Sequence, residues 1–228
     1  MAKTPRVALD DPVVRLSVPL VTVDVVLLTP GESDLLVYLR KRPRSPFEGR
    51  LGLPGAPVEG AETTEDAAQR VLETQTNLRN VYLRQLYTFS GPQRDPRGAS
   101  VSVSYFALFP TIHQRPSAAP LEDAWLPLRD AVRGSLAFDH AKILATTLER
   151  LQGRLDYTED AYHLLPERFT IPQLQRVHEL ILGEELKPDV FTKRVRDTLK
   201  PFLTRDKAPG QGGGRPARLY NNPAGGAK

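Results

Sequence analysis

The chemistry most visible in this 228-residue chain is electrostatic, and it is concentrated at one end. From Lys187 onward ten basic residues (Lys187, Lys193, Arg194, Arg196, Lys200, Arg205, Lys207, Arg215, Arg218 and Lys228) stand against three acids, Asp189, Asp197 and Asp206, although the formal net charge of the whole chain is only +4. The remainder is therefore mildly acidic. A basic end on an acidic body is the pattern of a segment that meets a polyanion, and also of a solvated basic tail. Phe191, Val195, Leu199 and Phe202 recur at near-helical spacing, so on a helix they face the core and leave Lys193, Arg196 and Lys200 outward. Other chemistries are poorly provided for. With no cysteine there is no disulfide and no thiolate-ligated zinc or iron–sulfur site. His113, His140, His163 and His178 lack metal-ligand spacing, and no Ser or Asp sits in a recognisable nucleophilic arrangement.

These groups need elements to position them, and the hydrophobic pattern supplies two kinds. Leu20–Thr29 (LVTVDVVLLT) and Leu35–Arg40 read as strands around a GESD turn, followed by a Pro-, Arg- and Gly-rich loop to Gly60. Thr63, with Asp66 three residues on, caps a helix on which Ala67, Ala68, Val71, Leu72 and Leu78 fall near helical spacing. Strands resume at Val81–Phe89 and Val101–Phe109 across the turn SGPQRDPRGAS, with a short one around Trp125–Leu128. After Ser135 the texture is helical. Asp139 is expected to cap HAKILATTLERLQGRL, with Ile143, Leu144, Leu148, Leu151 and Leu155 on one stripe. Thr170 caps a second helix that has Pro172 in its first turn and Gly183 at its end, and Asp189 is expected to cap VFTKRVRDTLKPFL. A Gly-rich hairpin signal, APGQGGG, then precedes RPARLYN. No apolar run approaches the roughly 18 residues of a membrane span, and the scattered charges of MAKTPRVALDDPVVRLS are unlike a signal peptide, so a cytoplasmic protein is expected.

The stretch LPGAPVEGAETTEDAAQRVLETQTNL resembles a Nudix box without a gap. Glu62 takes the first Glu position and Arg70 the Arg position, Leu72 and Leu78 are the two aliphatic residues, and Ala56 stands where the motif opens with Gly. The departures bear on function. Where active Nudix enzymes place metal-holding carboxylates, this chain has Val71, Thr74 and Gln75, and the final Gly is Asn77. Magnesium prefers hard oxygen ligands in an octahedron, which several anions on one helix face supply. Valine offers none, Thr and Gln are neutral, and Glu73 is about 100° round the helix from each neighbour. The expectation is a Nudix-like fold with no metal, no cofactor and no enzymatic activity.

LRQLYTFSGPQRDPRGASVSVSYFAL, Lys41-Arg42, FDHAKILATTLERL, FTIPQLQRVHELILG and GRPARLYN resemble the NrtR-type group of Nudix-related regulators, over nearly the whole chain. That resemblance implies an α+β architecture: a Nudix-like α/β/α sandwich with a mixed sheet at residues 1–152, a linker at 153–168, a winged helix-turn-helix domain at 169–222 and a disordered tail at 223–228. It also implies a repressor whose non-catalytic domain senses ADP-ribose or a related nucleotide or sugar metabolite. Arg42, Arg50, Arg70, Arg94 and Arg97 are then candidates to hold phosphate or ribose, because guanidinium forks match such oxygens, although each also suits a surface salt bridge. Asp95 is placed to orient an arginine or accept a hydroxyl, and Tyr105 or Phe106 to stack on a base.

At the other end, Leu174–Leu182 and Val190–Leu203 fit the first and recognition helices of a winged helix, and APGQGGG the wing tip. The DNA-facing candidates are Thr170, Thr192, Lys193, Arg194, Arg196, Lys200, Arg215, Arg218 and Tyr220, the last either a phosphate contact or a core residue. The expected partners are a palindromic double-stranded operator, a small effector and a second copy of the chain, since one such module reads only a half-site. Two other readings use the same residues: an active Nudix hydrolase with an added domain, and a non-catalytic module acting on another protein.

Overall fold

The computed structural model describes residues 19–79, 81–110, 124–156, 158–208 and 216–226. The first half is a sheet covered on both faces. Strands β1 (Leu20–Pro30), β2 (Leu35–Lys41), β3 (Leu51–Gly52), β5 (Tyr82–Ser90) and β6 (Ser100–Leu108) lie in the order β3-β2-β1-β6-β5, with β4 (Gly55–Pro57) pairing β1 and β7 (Ala124–Pro127) pairing β2. The β1–β6 pair is parallel and its neighbours antiparallel, which makes the sheet mixed. Strand alternation divides the apolar residues of β1. Val23, Val25 and Leu27 pack with Ala67, Ala68, Val71 and Leu72 of helix α1 (Thr64–Thr76), whereas Val26 and Leu28 join the cluster built on α2 (Leu128–Arg133) and α3 (His140–Arg154). The result is the expected α/β/α sandwich. Asp24 shares the α3-facing parity of β1, so its carboxylate enters that side of the sheet.

Helix α1 starts as the sequence predicts. Thr63 accepts from the Asp66 N–H while the Asp66 carboxylate accepts from Thr63, a reciprocal capping box. Asp139 precedes α3 but its side chain makes no cap bond, because its carboxylate is engaged by Arg94 instead.

The second half contains a 3-10 turn (Asp160–Leu164), β8 (Arg168–Phe169), α4 (Ile171–Leu182), α5 (Pro188–Leu199), a 3-10 turn (Lys200–Phe202), β9 (Leu203–Lys207), β10 (Arg218–Asn221) and a 3-10 turn at Pro223–Gly226. The three strands form a small sheet in the order β8-β10-β9. With α4 and α5 this is a winged helix, and residues 209–215, which include Arg215 and all but the first residue of the expected tip segment APGQGGG, lie outside the described residues. The Thr170–Gln173 capping box opens α4. Helix α5 begins at Pro188, with Lys187 at the N-cap, rather than after Asp189. Proline's fixed φ suits the first helical position, so the helix starts two residues earlier than expected and Asp189 lies inside the first turn, where its charge complements the helix dipole.

The two halves share one hydrophobic cluster. Ile143, Leu144 and Leu151 of α3 continue into Leu155, Ala161, Leu164, Leu165, Phe169, Leu174 and Ile181. Polar contacts fix the end of α4. Arg129 of α2 pairs with Asp34 and donates to the carbonyls of Leu180 and Ile181, and Gln152 of α3 donates to those of Ile181 and Leu182. These are orphan carbonyls of a helix terminus, satisfied here by side chains of the other half. Gly183 ends α4 with φ 79°, and a Cβ there would lie 2.6 Å from Arg129 Nη2. Gly183→Ala is therefore expected to destabilise the protein by about 2 kcal/mol, combining left-handed strain with displacement of Arg129, as read from urea denaturation.

His178 of α4 lies buried, its ring edge-on to Phe191 at 4.9 Å, with a buried Nδ1 that has no hydrogen-bond partner among the described residues. Burial and the nearby Arg194 charge push its imidazole from 6.5 to about 4, against a smaller opposing effect of Asp156. The folded state thus holds a neutral ring that the unfolded chain protonates below pH 6.5. Stability is fully present above 6.5 and falls as pH drops from 6.5 towards 4, by at most about 3 kcal/mol. Denaturation curves across that window should show the slope, and His178→Leu should flatten it.

Candidate functional site

Between β1, the β3–β4 loop, the 91–99 turn and the start of α3 lies a cleft of about 180 Å³. Its floor is built around a buried guanidinium. Arg94 Nη2 lies 3.1 Å from Asp24 Oδ2 and 3.0 Å from Asp139 Oδ1, while Nη1 donates to Ser100 at 3.3 Å. Asp24 also accepts from Ser102 at 2.6 Å, and Ser102 bonds Ser104. His140 Nε2 sits 3.5 Å from Asp24 Oδ1, and its Nδ1 accepts the Leu53 N–H at 2.8 Å, which places the ring proton on Nε2. Burial opposes ionisation of Asp24, but the His140 ring, the Ser102 hydroxyl and Arg94 outweigh it and hold the carboxyl below its usual range. Gly55 closes over this group; a Cβ there would lie 2.5 Å from Asp24 Oδ1 and 2.7 Å from the Val23 carbonyl, so only glycine fits.

The wall is made by two arginines on one ring. The Arg42 and Arg97 guanidiniums lie 4.6 and 5.7 Å from the centre of Phe138, a residue held at φ 50°. Arg97 grips Asp95 through Nε and Nη2, and that hydrogen bonding draws the Asp95 carboxyl down in pKa and raises Arg97. Arg42 donates through Nε to the Pro46 carbonyl. Burial, then the adjacent Arg97 charge, lowers its pKa, with Asp95 and Asp24 opposing. Among the described residues, Arg42 thus retains both terminal nitrogens and Arg97 its Nη1 as uncommitted donors. Forked donors above a carboxylate floor suit a ligand that carries both phosphate and hydroxyl groups.

Of the seven ligand-site candidates, Arg42, Arg94, Asp95 and Arg97 converge on this cleft. Three do not. Arg50 is exposed, donating to Ser135 and lying over Phe47. Arg70 is held by Glu62, Glu59 and the Pro57 carbonyl within the box itself. Tyr105 is buried on the α1 side of the sheet, its hydroxyl 2.8 Å from that of Thr64, and Phe106 is buried in the opposite core. Neither ring is open to a base. Asp24, Phe138 and His140 are among the lining residues that the sequence reading missed.

The box helix has its own arrangement. Val71 is fully buried in the core, the Thr74 hydroxyl donates to the Arg70 carbonyl, and Gln75 bridges from the Gly55 carbonyl to Arg40. Glu73 sits with Gln69 and Arg79, and Glu62 with Arg70. The metal that active Nudix boxes hold therefore does not fit this donor set: two of the positions are neutral groups already bonded and the third is apolar. Among the described residues no three His, Asp or Glu side chains converge as a metal site.

At the winged helix, Lys193 and Arg196 lie exposed along α5, Lys200 is exposed just past its end, and Arg218 is exposed on β10 opposite Lys207. Other nucleic-acid candidates are otherwise committed. Arg194 lies over Phe191 and 3.4 Å from Asp156, towards the other half of the chain. Thr170 is the α4 cap, Thr192 is half-buried, and Tyr220 is a core residue stacked on Phe169.

Comparison with known proteins agrees with both halves. The NUDIX domain pattern matches residues 18–147, and the pattern for the NrtR DNA-binding winged helix domain matches residues 161–221. The chain is 32% identical over 206 residues to the ADPR responsive transcriptional repressor NtrR of Acinetobacter baylyi, covering 89% of this chain and 81% of that one. Shewanella oneidensis NrtR, in its crystal structure with a 27mer DNA, superposes with a TM-score of 0.78 at 36% identity, covering 89% of this chain and 93% of that one. The NUDIX domain of the same protein complexed with ADP ribose matches at 37% identity and a TM-score of 0.53, covering 62% and 93%. This chain belongs to the NrtR family, a Nudix domain followed by an NrtR-type winged helix.

Proposed function

We propose that this protein is an ADP-ribose-responsive transcriptional repressor that binds the nucleotide at the Arg42–Arg97–Phe138 cleft without cleaving it, and binds a double-stranded operator through its winged helix. The observation that carries this reading is the pairing of uncommitted arginine forks with a box helix that lacks the metal carboxylates. Arg42 and Arg97 supply charge-assisted hydrogen bonds to the diphosphate, and Asp24 supplies an acceptor for a ribose hydroxyl. Without a metal cluster the ligand persists, as a sensor requires. On the DNA side, Lys193, Arg196, Lys200 and Arg218 neutralise phosphates, so binding weakens as salt rises. A second copy of the chain completes a palindromic site in the cytoplasm, each module reading one half.

Calorimetry with ADP-ribose, followed by selection of bound duplexes from a random pool with and without the nucleotide, tests both sites. Arg42→Ala combined with Arg97→Ala should weaken ADP-ribose binding at least about a hundredfold, since hydrogen bonds to charged groups contribute about 1.5–3 kcal/mol each; Arg50→Ala should leave it unchanged. Absence of ADP-ribose binding by the wild type rejects the cleft assignment, and magnesium-dependent hydrolysis of ADP-ribose would replace the sensor with a hydrolase. Restoring a carboxylate does not restore chemistry: Val71→Glu should lower unfolding stability by about 3 kcal/mol, because it buries an unpaired acid among Ala67, Ala68 and Leu72.

A further inference from the structure

Helix α5 divides its residues sharply. Phe191 and Leu199 are buried, Val195 packs against the same core, and Arg194 is drawn to Asp156. The outward face carries Val190, Lys193 and Arg196, with Lys200 just past the helix end, all exposed, and the acids Asp189 and Asp197 are exposed on the same side. With Lys187 just ahead of the helix, four cations stand against those two acids and form no ion pair among the described residues, so the face carries a net positive charge that complements a polyanion.

Val190 is the exception in charge. It is 63% exposed, more than any other large hydrophobic among the described residues, and it lies in the first turn of α5. A single exposed apolar side chain ordinarily requires no explanation. This one sits on the turn that, in a helix-turn-helix reader, meets base edges while flanking cations hold the phosphates. The one apolar feature of the major-groove edge is the C5-methyl of thymine.

We propose that Val190 is a specificity-determining residue whose isopropyl group packs against a thymine methyl in the operator's major groove, an inference that rests on the DNA-binding reading above. Lysine and arginine on this face fix register through phosphate, and Val190 separates thymine from cytosine, which lacks the methyl.

The test uses the full chain and a duplex it recovers from a random pool, with each thymine replaced in turn by deoxyuridine, which removes only the methyl. Wild type should lose about fourfold in affinity at one thymine of each half-site, the worth of burying one methyl-sized group. Val190→Ala should lose about as much on the parent duplex and nothing further on that deoxyuridine duplex, while Val190→Ile keeps the sensitivity. Equal deoxyuridine losses in wild type and Val190→Ala, unchanged affinity of Val190→Ala, or a bound duplex with no methyl-sensitive thymine would each overturn the assignment and leave DNA binding intact. Recovery of no sequence at all removes the DNA reading and Val190's role together.

Discussion

A guanidinium shut away from water has to be neutralised where it lies, and Arg94 shows what this demands of a fold. Its side chain is only 6% exposed, and its carboxylate partners come from β1 and from the residue just before α3. Losing both partners would strand a buried charge, which costs about 3–5 kcal/mol. The pairing therefore fixes three elements against one another: the first strand, the 91–99 turn and the start of α3. Asp24 extends the constraint through Ser102 to β6, and His140 extends it to the Leu53 N–H in the β3–β4 loop. The cleft floor is thus rigid before any ligand arrives, and a ligand that uses it does not have to supply the ordering energy.

The same helix that begins at this floor ends on the winged helix. Asp139 and His140 stand at the start of α3, whereas Gln152, near its other end, holds the last carbonyls of α4, and Asp156 just beyond it meets Arg194 of α5. Arg129 reinforces the grip from α2. A ligand alters DNA binding only if it interacts differently with two arrangements of the protein. The contact of α3 with α4, and the Asp156–Arg194 pair just beyond α3, join the helix that borders the cleft to the winged helix.

What the sequence revealed and what it hid divide along the range of the interactions. The caps at Thr63 and Thr170 were legible because every participant lies within three residues. The gap-free box spacing gave the fold, and the i, i+4 pattern of Phe191, Val195 and Leu199 gave the buried side of α5. Convergence of arginines is a tertiary matter: Arg42 and Arg97 are far apart in the chain and meet only through Phe138, while Arg70 finds its acids inside its own motif. Asp139 was expected to cap because a cap needs only local geometry, and Arg94, 45 residues away, outbid the backbone for it. Tyr105 could have been placed by strand parity. Ser102 and Ser104 share the Asp24 side of the sheet, so the next residue along β6 faces α1.

The box helix shows how the cleft keeps its shape without the metal that an active box would hold there. Gln75, at a position where the motif has a carboxylate, ties α1 both to Gly55, which borders the cleft, and to Arg40 of β2. A glutamate would accept from Arg40 but has no donor for the Gly55 carbonyl. Val71, at another such position, contributes to the core that holds α1 on the sheet. Thr74 returns its hydroxyl to the helix backbone. Each side chain therefore replaces a ligand to a cation with a bond or a contact inside the protein. The helix stays anchored through neutral groups, and Gly55 remains pressed against Asp24 at the distance that only a residue without a side chain permits.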